Sequence, residues 1–311
     1  MSQVLAVFGA TGQQGGSVVK FVRDDLELSS KYKIRAITRH VDSDKAKALK
    51  SHVEVVRADF ADLASVGKAL EGVNAVFLMN APYLGDNAFE DELQSLKKIA
   101  DIALEKGVEF LIYSSLPSPA KISNGKYKTI AAFDAKAEVE AYIRTLPIRS
   151  AFYRPASFME NLNPSTFLAP VKSEDGTWVI TRPHPPTVRY SLIAAAMDTG
   201  KFVGGMLAAP LDEMSGRAIS AAQGLYSLKE IMASLEKATG KTFVYKQMPV
   251  EEFRASMPFA GDMFTDVFGY YEEFGYFGPD TEKIIEEDRK VAKGTLTSLD
   301  EWLAANPGMY D

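Results

Sequence analysis

The stretch Gly9-Ala10-Thr11-Gly12-Gln13-Gln14-Gly15 constrains this chain more than any other. It follows directly on the apolar run Val4 to Phe8, which suits a buried parallel strand. It leads directly into a helical pattern, Gln13 to Val22, with Val18, Val19 and Val22 on one face. Glycine at such a turn allows a tight reversal, close approach of a ligand to the backbone, and close packing of helix on strand. The helix N-terminus then presents free N–H groups and the positive end of its dipole to phosphate. A glycine pattern alone says little. Strand, turn and helix in this order make it a pyrophosphate cradle for a dinucleotide. Its candidate contacts are Gly9, Thr11, Gly12, Gln13, Gln14 and Gly15.

The first half continues to alternate. Strand patterns at 32–38, 53–56, 75–79, 110–113 and 149–153 are separated by helical patterns at 42–49, 62–70, 89–105 and 130–144. Alternation of this kind predicts an α/β fold, a Rossmann doubly wound parallel sheet with right-handed crossovers. After Pro155 the pattern loosens and proline becomes frequent, as in Arg182-Pro183-His184-Pro185-Pro186. Helical patterns remain at 192–199, 227–238, 250–257 and 299–305, with short strand-like runs at 178–181, 218–220 and 242–245. We therefore expect a nucleotide-binding domain over residues 1–155 and a smaller α+β lobe over 156–311. That boundary is soft, because such lobes often return a strand to the main sheet.

Composition narrows the chemistry. The 311 residues contain no cysteine, which removes disulfides, thiol catalysis and thiolate-bound metals. The net charge is -6 with no dense basic run, so direct nucleic-acid binding is not expected. No stretch approaches the roughly 20 apolar residues of a membrane span, and no leader pattern opens the chain. The expectation is a cytoplasmic protein, with the nucleus also open to it, working as a monomer or homodimer. The histidines His40, His52 and His184 have no metal-ligand spacing; His40 is placed near a 2′-phosphate, and the others are read as surface residues. No nucleophile elbow is visible, which excludes a hydrolase of that type.

The strand ends carry the cofactor preference. The second strand ends Thr38-Arg39-His40, where an acid would take a ribose 2′-hydroxyl. Arginine instead suits a 2′-phosphate, which it grips through two hydrogen bonds. The cofactor expected is NADP(H), and the competing reading is a solvated arginine. Arg35 lies earlier on the same strand and competes for the role. Asp59, after the third strand, is read as an acceptor for the adenine amino group or as a capping residue. Asn80, ending the fourth strand, lies beside the nicotinamide-side ribose or simply makes a turn.

The glycine signature, Thr38-Arg39, the helix segment Phe133 to Glu140, Arg154 to Leu162, and the tail Leu296 to Leu303 together resemble the NmrA-like family. These are atypical short-chain dehydrogenase/reductases, and the resemblance runs along essentially the whole chain. It implies an NADP(H) protein, and the family includes both oxidoreductases and regulators. It assigns Lys136 to the lysine used near the nicotinamide ribose and the substrate, against the reading of a solvated helix lysine. It places Phe158, Glu160 and Asn161 after the sixth strand, where family members line the nicotinamide pocket, against the reading of a helix-start packing role for each. A short-chain dehydrogenase carries a tyrosine four residues before that lysine, and here Ala132 stands there. Tyr113, Ser114 and Ser115 are then the nearest hydroxyls, with Tyr127 behind them. The aromatic segment from Phe264 to Phe277 reads as an apolar lid, a packed seal or a partner surface. Two functions follow: reduction of a small apolar or aromatic carbonyl, imine or quinone-like substrate, or sensing of the NADPH/NADP+ balance through a protein partner.

Overall fold

A computed structural model describes residues 2–83, 85, 87–166 and 168–311. Six apolar runs of the first half become strands: β1 (Gln3–Phe8), β2 (Tyr32–Thr38), β3 (Glu54–Arg57), β4 (Ala75–Leu78), β5 (Phe110–Ser114) and β6 (Arg149–Pro155). Seven further strands follow: β7 (Ser157–Phe158), β8 (Val171–Lys172), β9 (Trp178–Arg182), β10 (Arg189–Ile193), β11 (Ala218–Ala221), β12 (Gly224–Ser227) and β13 (Phe243–Gln247). The main sheet is parallel throughout, in the order β3-β2-β1-β4-β5-β6-β11. Its winding reverses between β1 and β4. At such a switch point the connecting chains leave in opposite directions and open a crevice at the carboxyl edge.

Both faces of the sheet are covered, so the central strands are apolar on both sides. Leu5, Val7 and Phe77 belong to one buried cluster and Ala6, Phe8 and Leu78 to the other. The alternation follows the two-residue period of a strand. Helices Ala88–Glu105 and Ala131–Ile143 cover the second face.

The second half of the chain is woven into the first. β11 joins the main sheet beside β6. The helix Ala195–Ala208 packs lengthwise on the phosphate-side helix Gln13–Asp24. Glycine makes that contact possible, since a Cβ on Gly200 would fall 2.3 Å from the Ser17 carbonyl oxygen. Two three-stranded sheets, β12-β10-β7 and β13-β9-β8, stand over the carboxyl edge.

The structure corrects the expected helix over 192–199. Leu192 and Ile193 belong to β10, paired on one side with β12 and on the other with β7, and the helix begins only at Ala195. Burial between two strands overrides the helical spacing of that short run. Glu160 marks the start of the helix, its carboxylate accepting the N–H groups of Ala195 at 3.1 Å and Ala196 at 2.8 Å. Helices Leu26–Lys31 and Thr281–Asp288 lie outside the patterns read from the sequence. The first is held by the Asp25 side chain, which caps the N–H groups of Glu27 and Leu28.

Candidate functional site

Two adjoining cavities lie along the carboxyl edge. The first is a groove of about 520 Å³ over the switch point, lined by Gly9, Thr11, Gly12, Thr38, Arg39 and His40, with Ala58, Phe60 and Met79 opposite. The second is a chamber of about 410 Å³ between the sheet edge and the C-terminal lobe. Asn80 and Pro82 line both, so the two spaces meet there.

The three glycines of the turn do different work. Gly9 has φ +64, and a Cβ there would fall 2.3 Å from the Met79 sulfur. A Cβ on Gly15 would fall 2.4 Å from the Gly9 carbonyl oxygen, because the helix is pressed against the turn. Gly12 differs from both: its φ of -95 is ordinary, it is exposed, and a Cβ would meet only Gly9 O, at 3.3 Å. Of the three, position 12 is the one where the fold demands glycine least. A ligand lying on the backbone demands it. The helix behind it begins next to the groove residue Gly12 with no side-chain cap among the described residues. Gln13 is exposed and lines neither cavity, whereas Gln14 is buried, accepts a 2.8 Å hydrogen bond from Ser114 Oγ and lines the chamber.

At the end of β2 the structure separates the two arginines. Arg35 donates to Glu54 at 2.8 Å and to the carbonyls of Ala69 and Glu71 at 3.0 and 2.7 Å. Arg39 is exposed in the groove, with no ion pair or hydrogen bond from its guanidinium to any described residue. Thr38 Oγ1 lies 3.4 Å from Thr11 Oγ1 and accepts the N–H of His40, tying strand end to turn. Asp59 lies outside the lining. Its carboxylate accepts the Ala61 N–H within a tight turn, and the neighbouring Ala58 and Phe60 line the groove instead.

Lys136 sits where the cavities meet. It is 7% exposed and lines the chamber, and its ammonium donates to Asn80 Oδ1 at 2.9 Å and to Glu92 Oε1 at 2.7 Å. Glu92 is 1% exposed, so this is an ion pair taken out of water. Burial pulls the lysine below its usual pKa, and the carboxylate beside it opposes the pull. Glu92 escaped the sequence reading. Its signal was an acid on the same stripe as Leu96 and Ile99, the buried face of helix Ala88–Glu105.

The hydroxyl proposed for Tyr113 needs correction. The ring lies in the second core cluster, under the sheet, and its hydroxyl is fully buried without a partner among the described residues. Burial and nearby carboxylates push that phenol well above its usual pKa. It lines neither cavity, because successive strand residues face opposite sides and Ser114 takes the chamber side. Tyr127 is also outside, bonded to Glu273 at 3.0 Å. Phe158 and Asn161 line the chamber; Glu160, turned to its helix, does not.

The aromatic segment forms one chamber wall. Phe264, Phe268, Tyr271 and Tyr276 face the space, while Tyr270 and Phe274 pack against Tyr127. His184 is a second correction. It is 1% exposed rather than on the surface, with Nδ1 2.9 Å from the Pro185 carbonyl and Nε2 2.5 Å from the Tyr190 hydroxyl. A carbonyl only accepts, so Nδ1 carries the proton and Tyr190 donates to Nε2. Burial lowers the His184 pKa to about 4 and raises that of Tyr190. Among the described residues, no cluster of acids and histidines is arranged to hold a metal ion, and no helix is long and apolar enough to cross a membrane.

Known proteins share this architecture. An NmrA-like family domain-containing protein of Dictyostelium discoideum is 29% identical over 317 residues, 97% of each chain. The NmrA-like family domain-containing oxidoreductase FrzB of a Cladobotryum species is 30% identical, covering 79% of this chain and 76% of its own. Among solved structures, NmrA, a negative transcriptional regulator in complex with NADP, superposes with a TM-score of 0.80 at 19% identity, over 97% of this chain and 94% of its own. An NADPH-dependent quinone oxidoreductase of Escherichia coli complexed with NADPH gives 0.74 at 22% identity, over 97% and 99%. The NmrA-like family model matches residues 1–303, and with the parallel sheet, the glycine turn and the crevice in place, the chain belongs to the NmrA-like family.

Proposed function

We propose that this protein is an NADP(H)-dependent oxidoreductase acting on a small apolar or aromatic carbonyl, imine or quinone-like substrate. One observation carries the reading: the groove opens into an apolar chamber at Asn80, and Lys136 is bonded to Asn80 at that opening. The groove residues fit a dinucleotide phosphate: an exposed glycine, a helix start without a side-chain cap and an arginine with no partner among the described residues. When bound, the reduced cofactor supplies hydride. Gly12 and the amides behind it hold the pyrophosphate, and Arg39 takes the 2′-phosphate. Asn80 and Lys136 orient the ribose at the seam, and the Lys136 ammonium polarises an acceptor oxygen or nitrogen placed in the chamber. The aromatic wall excludes water and stacks against a ring-bearing substrate. Both the related oxidoreductase and the NADPH-complexed quinone reductase support this class of chemistry. We place the activity in the cytoplasm, with small molecules rather than nucleic acid or membrane as partners.

A second reading rests on Ala132. It lines the chamber at the place where a short-chain dehydrogenase carries its proton-donating tyrosine. A regulator that reads the NADPH/NADP+ balance through a protein partner has no need of that hydroxyl, and the NADP-bound transcriptional regulator shares the fold. The deciding experiment combines titration of NADPH, NADP+ and NADH with a screen of NADPH oxidation over carbonyls, imines and quinones. Turnover with any of these supports the enzyme. Tight NADP(H) binding without turnover, together with cofactor-dependent hydrogen-exchange protection after residue 155, supports the sensor. No binding of any of the three overturns both.

A further inference from the structure

The chamber lining carries two cations, Lys136 and Arg182, and no carboxylate among the described residues. Lys136 is neutralised by Glu92. Arg182, at the end of β9, is not neutralised by any described carboxylate. Its Nη1 and Nη2 donate to the carbonyls of Thr181 and Leu168, each at 2.7 Å, and its guanidinium lies 5.0 Å from the centre of the Phe268 ring. Its Nε–H is buried with no hydrogen-bond partner among the described residues. Neutral carbonyls and an aromatic face hold the group in place but leave its charge uncompensated. A cation in an apolar wall without a counter-ion costs free energy that a bound anion recovers.

We propose that the chamber takes a ring-bearing substrate with a carboxylate, and that Arg182 anchors that carboxylate. This rests on the reading of the chamber as the substrate site. The aromatic wall takes the ring, and the half-buried guanidinium takes a planar monoanion. Phosphate fits poorly, because its greater charge and hydration need several donors and the chamber offers one unpaired cation. The anchor stands on the lobe side of the chamber and Lys136 at the seam with the groove. A molecule held by its carboxylate at Arg182 therefore presents its other end to Lys136.

The probe is 2-naphthoate, compared with the neutral 2-naphthylmethanol, binding to the full-length protein saturated with NADP+ so that the groove and Arg39 are occupied. The acid binds about tenfold more tightly than the alcohol. Arg182→Gln abolishes the preference while the alcohol keeps its affinity within about twofold, since only the charged contact is removed. The preference survives in the Lys136→Met, Glu92→Gln double variant. Equal affinities for acid and alcohol in the wild type overturn the proposal, whether or not Arg182→Gln folds. So does a preference that persists in Arg182→Gln or disappears in the double variant. Failure of NADP+ to bind breaks the dinucleotide reading instead, and the acid and alcohol are then compared without cofactor.

Discussion

The groove and the chamber lie side by side, share two residues, and are built in opposite ways. The groove comes from strand ends and the turns that follow them, all within the first 83 residues, and its chemistry belongs to the backbone and one side chain: one open glycine, one helix start without a side-chain cap, and one arginine at a strand end. The chamber draws residues from Gln14 to Tyr276, and its chemistry belongs to side chains brought together by packing. A local backbone device depends on neighbouring residues and survives change elsewhere. An assembled pocket depends on every element that walls it. Damage to the groove's exposed groups, Gly12 and Arg39, should therefore cost binding alone, and damage to the chamber should cost stability and function together.

The sharpest break of that contrast lies within the glycine turn. Gly12→Val should weaken NADP(H) binding by about 100-fold or more, ~2.7 kcal/mol, with the fold retained, because its side chain enters ligand space rather than protein. Gly15→Val should fail to fold, because its Cβ would overlap the Gly9 backbone. Calorimetric titration and thermal melts followed by circular dichroism read the two outcomes. A Gly12→Val protein that binds normally would remove the turn from the cofactor site.

Lys136 belongs to both regions, and the contrast predicts a double cost. Lys136→Met alone strands a buried Glu92 carboxylate, so stability should fall by about 3–5 kcal/mol. Adding Glu92→Gln removes the stranded charge and should restore much of that loss. Turnover should stay about 100-fold down in the double variant, since the polarising ammonium is still missing. Recovery of turnover along with stability would show that the lysine serves only to neutralise its partner.

The same division explains what the sequence revealed. The parallel sheet was legible because its strands are apolar on both faces and bounded by turn residues. The glycine turn was legible because its spacing is a property of consecutive residues. The chamber's lobe wall was not. Arg182 and Tyr190 sit on either side of a proline-rich loop that carries His184, and they come from strands of two different sheets. Glu92 gave a readable hint, an acid in an apolar stripe, but its partner is 44 residues away. Tyr113 misled because sequence places it near the site while strand alternation turns it to the other face.

His184 turns the chamber's dependence on packing into a pH effect. Its folded pKa of about 4 lies below its ordinary 6.5, so the unfolded chain binds the extra proton between those values. Stability contributed by the neutral ring is complete above about pH 6.5 and is lost as pH falls toward 4, by about 2 kcal/mol after allowance for solvent screening. His184→Gln, which keeps an acceptor for Tyr190, should show that much less loss between about pH 7 and about pH 4 in denaturant titrations. Parallel pH profiles for the two proteins would mean that the ring is not held neutral by burial.

The smallest effect is the most discriminating, because Arg35 and Arg39 lie on the same strand and its end and differ only in what surrounds them. Arg39 has no partner among the described residues, so its removal should cost the fold little and cost the cofactor a charge-assisted contact of about 1.5 kcal/mol, roughly tenfold in affinity. That loss should fall on NADP(H) alone, because NAD(H) has no 2′-phosphate for Arg39 to hold. Arg35 is spent on Glu54 and two carbonyls, so Arg35→Ala should lower the melting temperature and leave the ratio of NADP(H) to NAD(H) affinities unchanged. Six titrations, the wild type and two variants against two cofactors, give the answer. Should Arg35→Ala shift the ratio and Arg39→Ala leave it alone, the 2′-phosphate site moves to the wrong side of the strand, and the groove would have to be read from β3 instead of β2. Equal affinities in the wild type would remove the site altogether and leave Arg39 as a solvated residue.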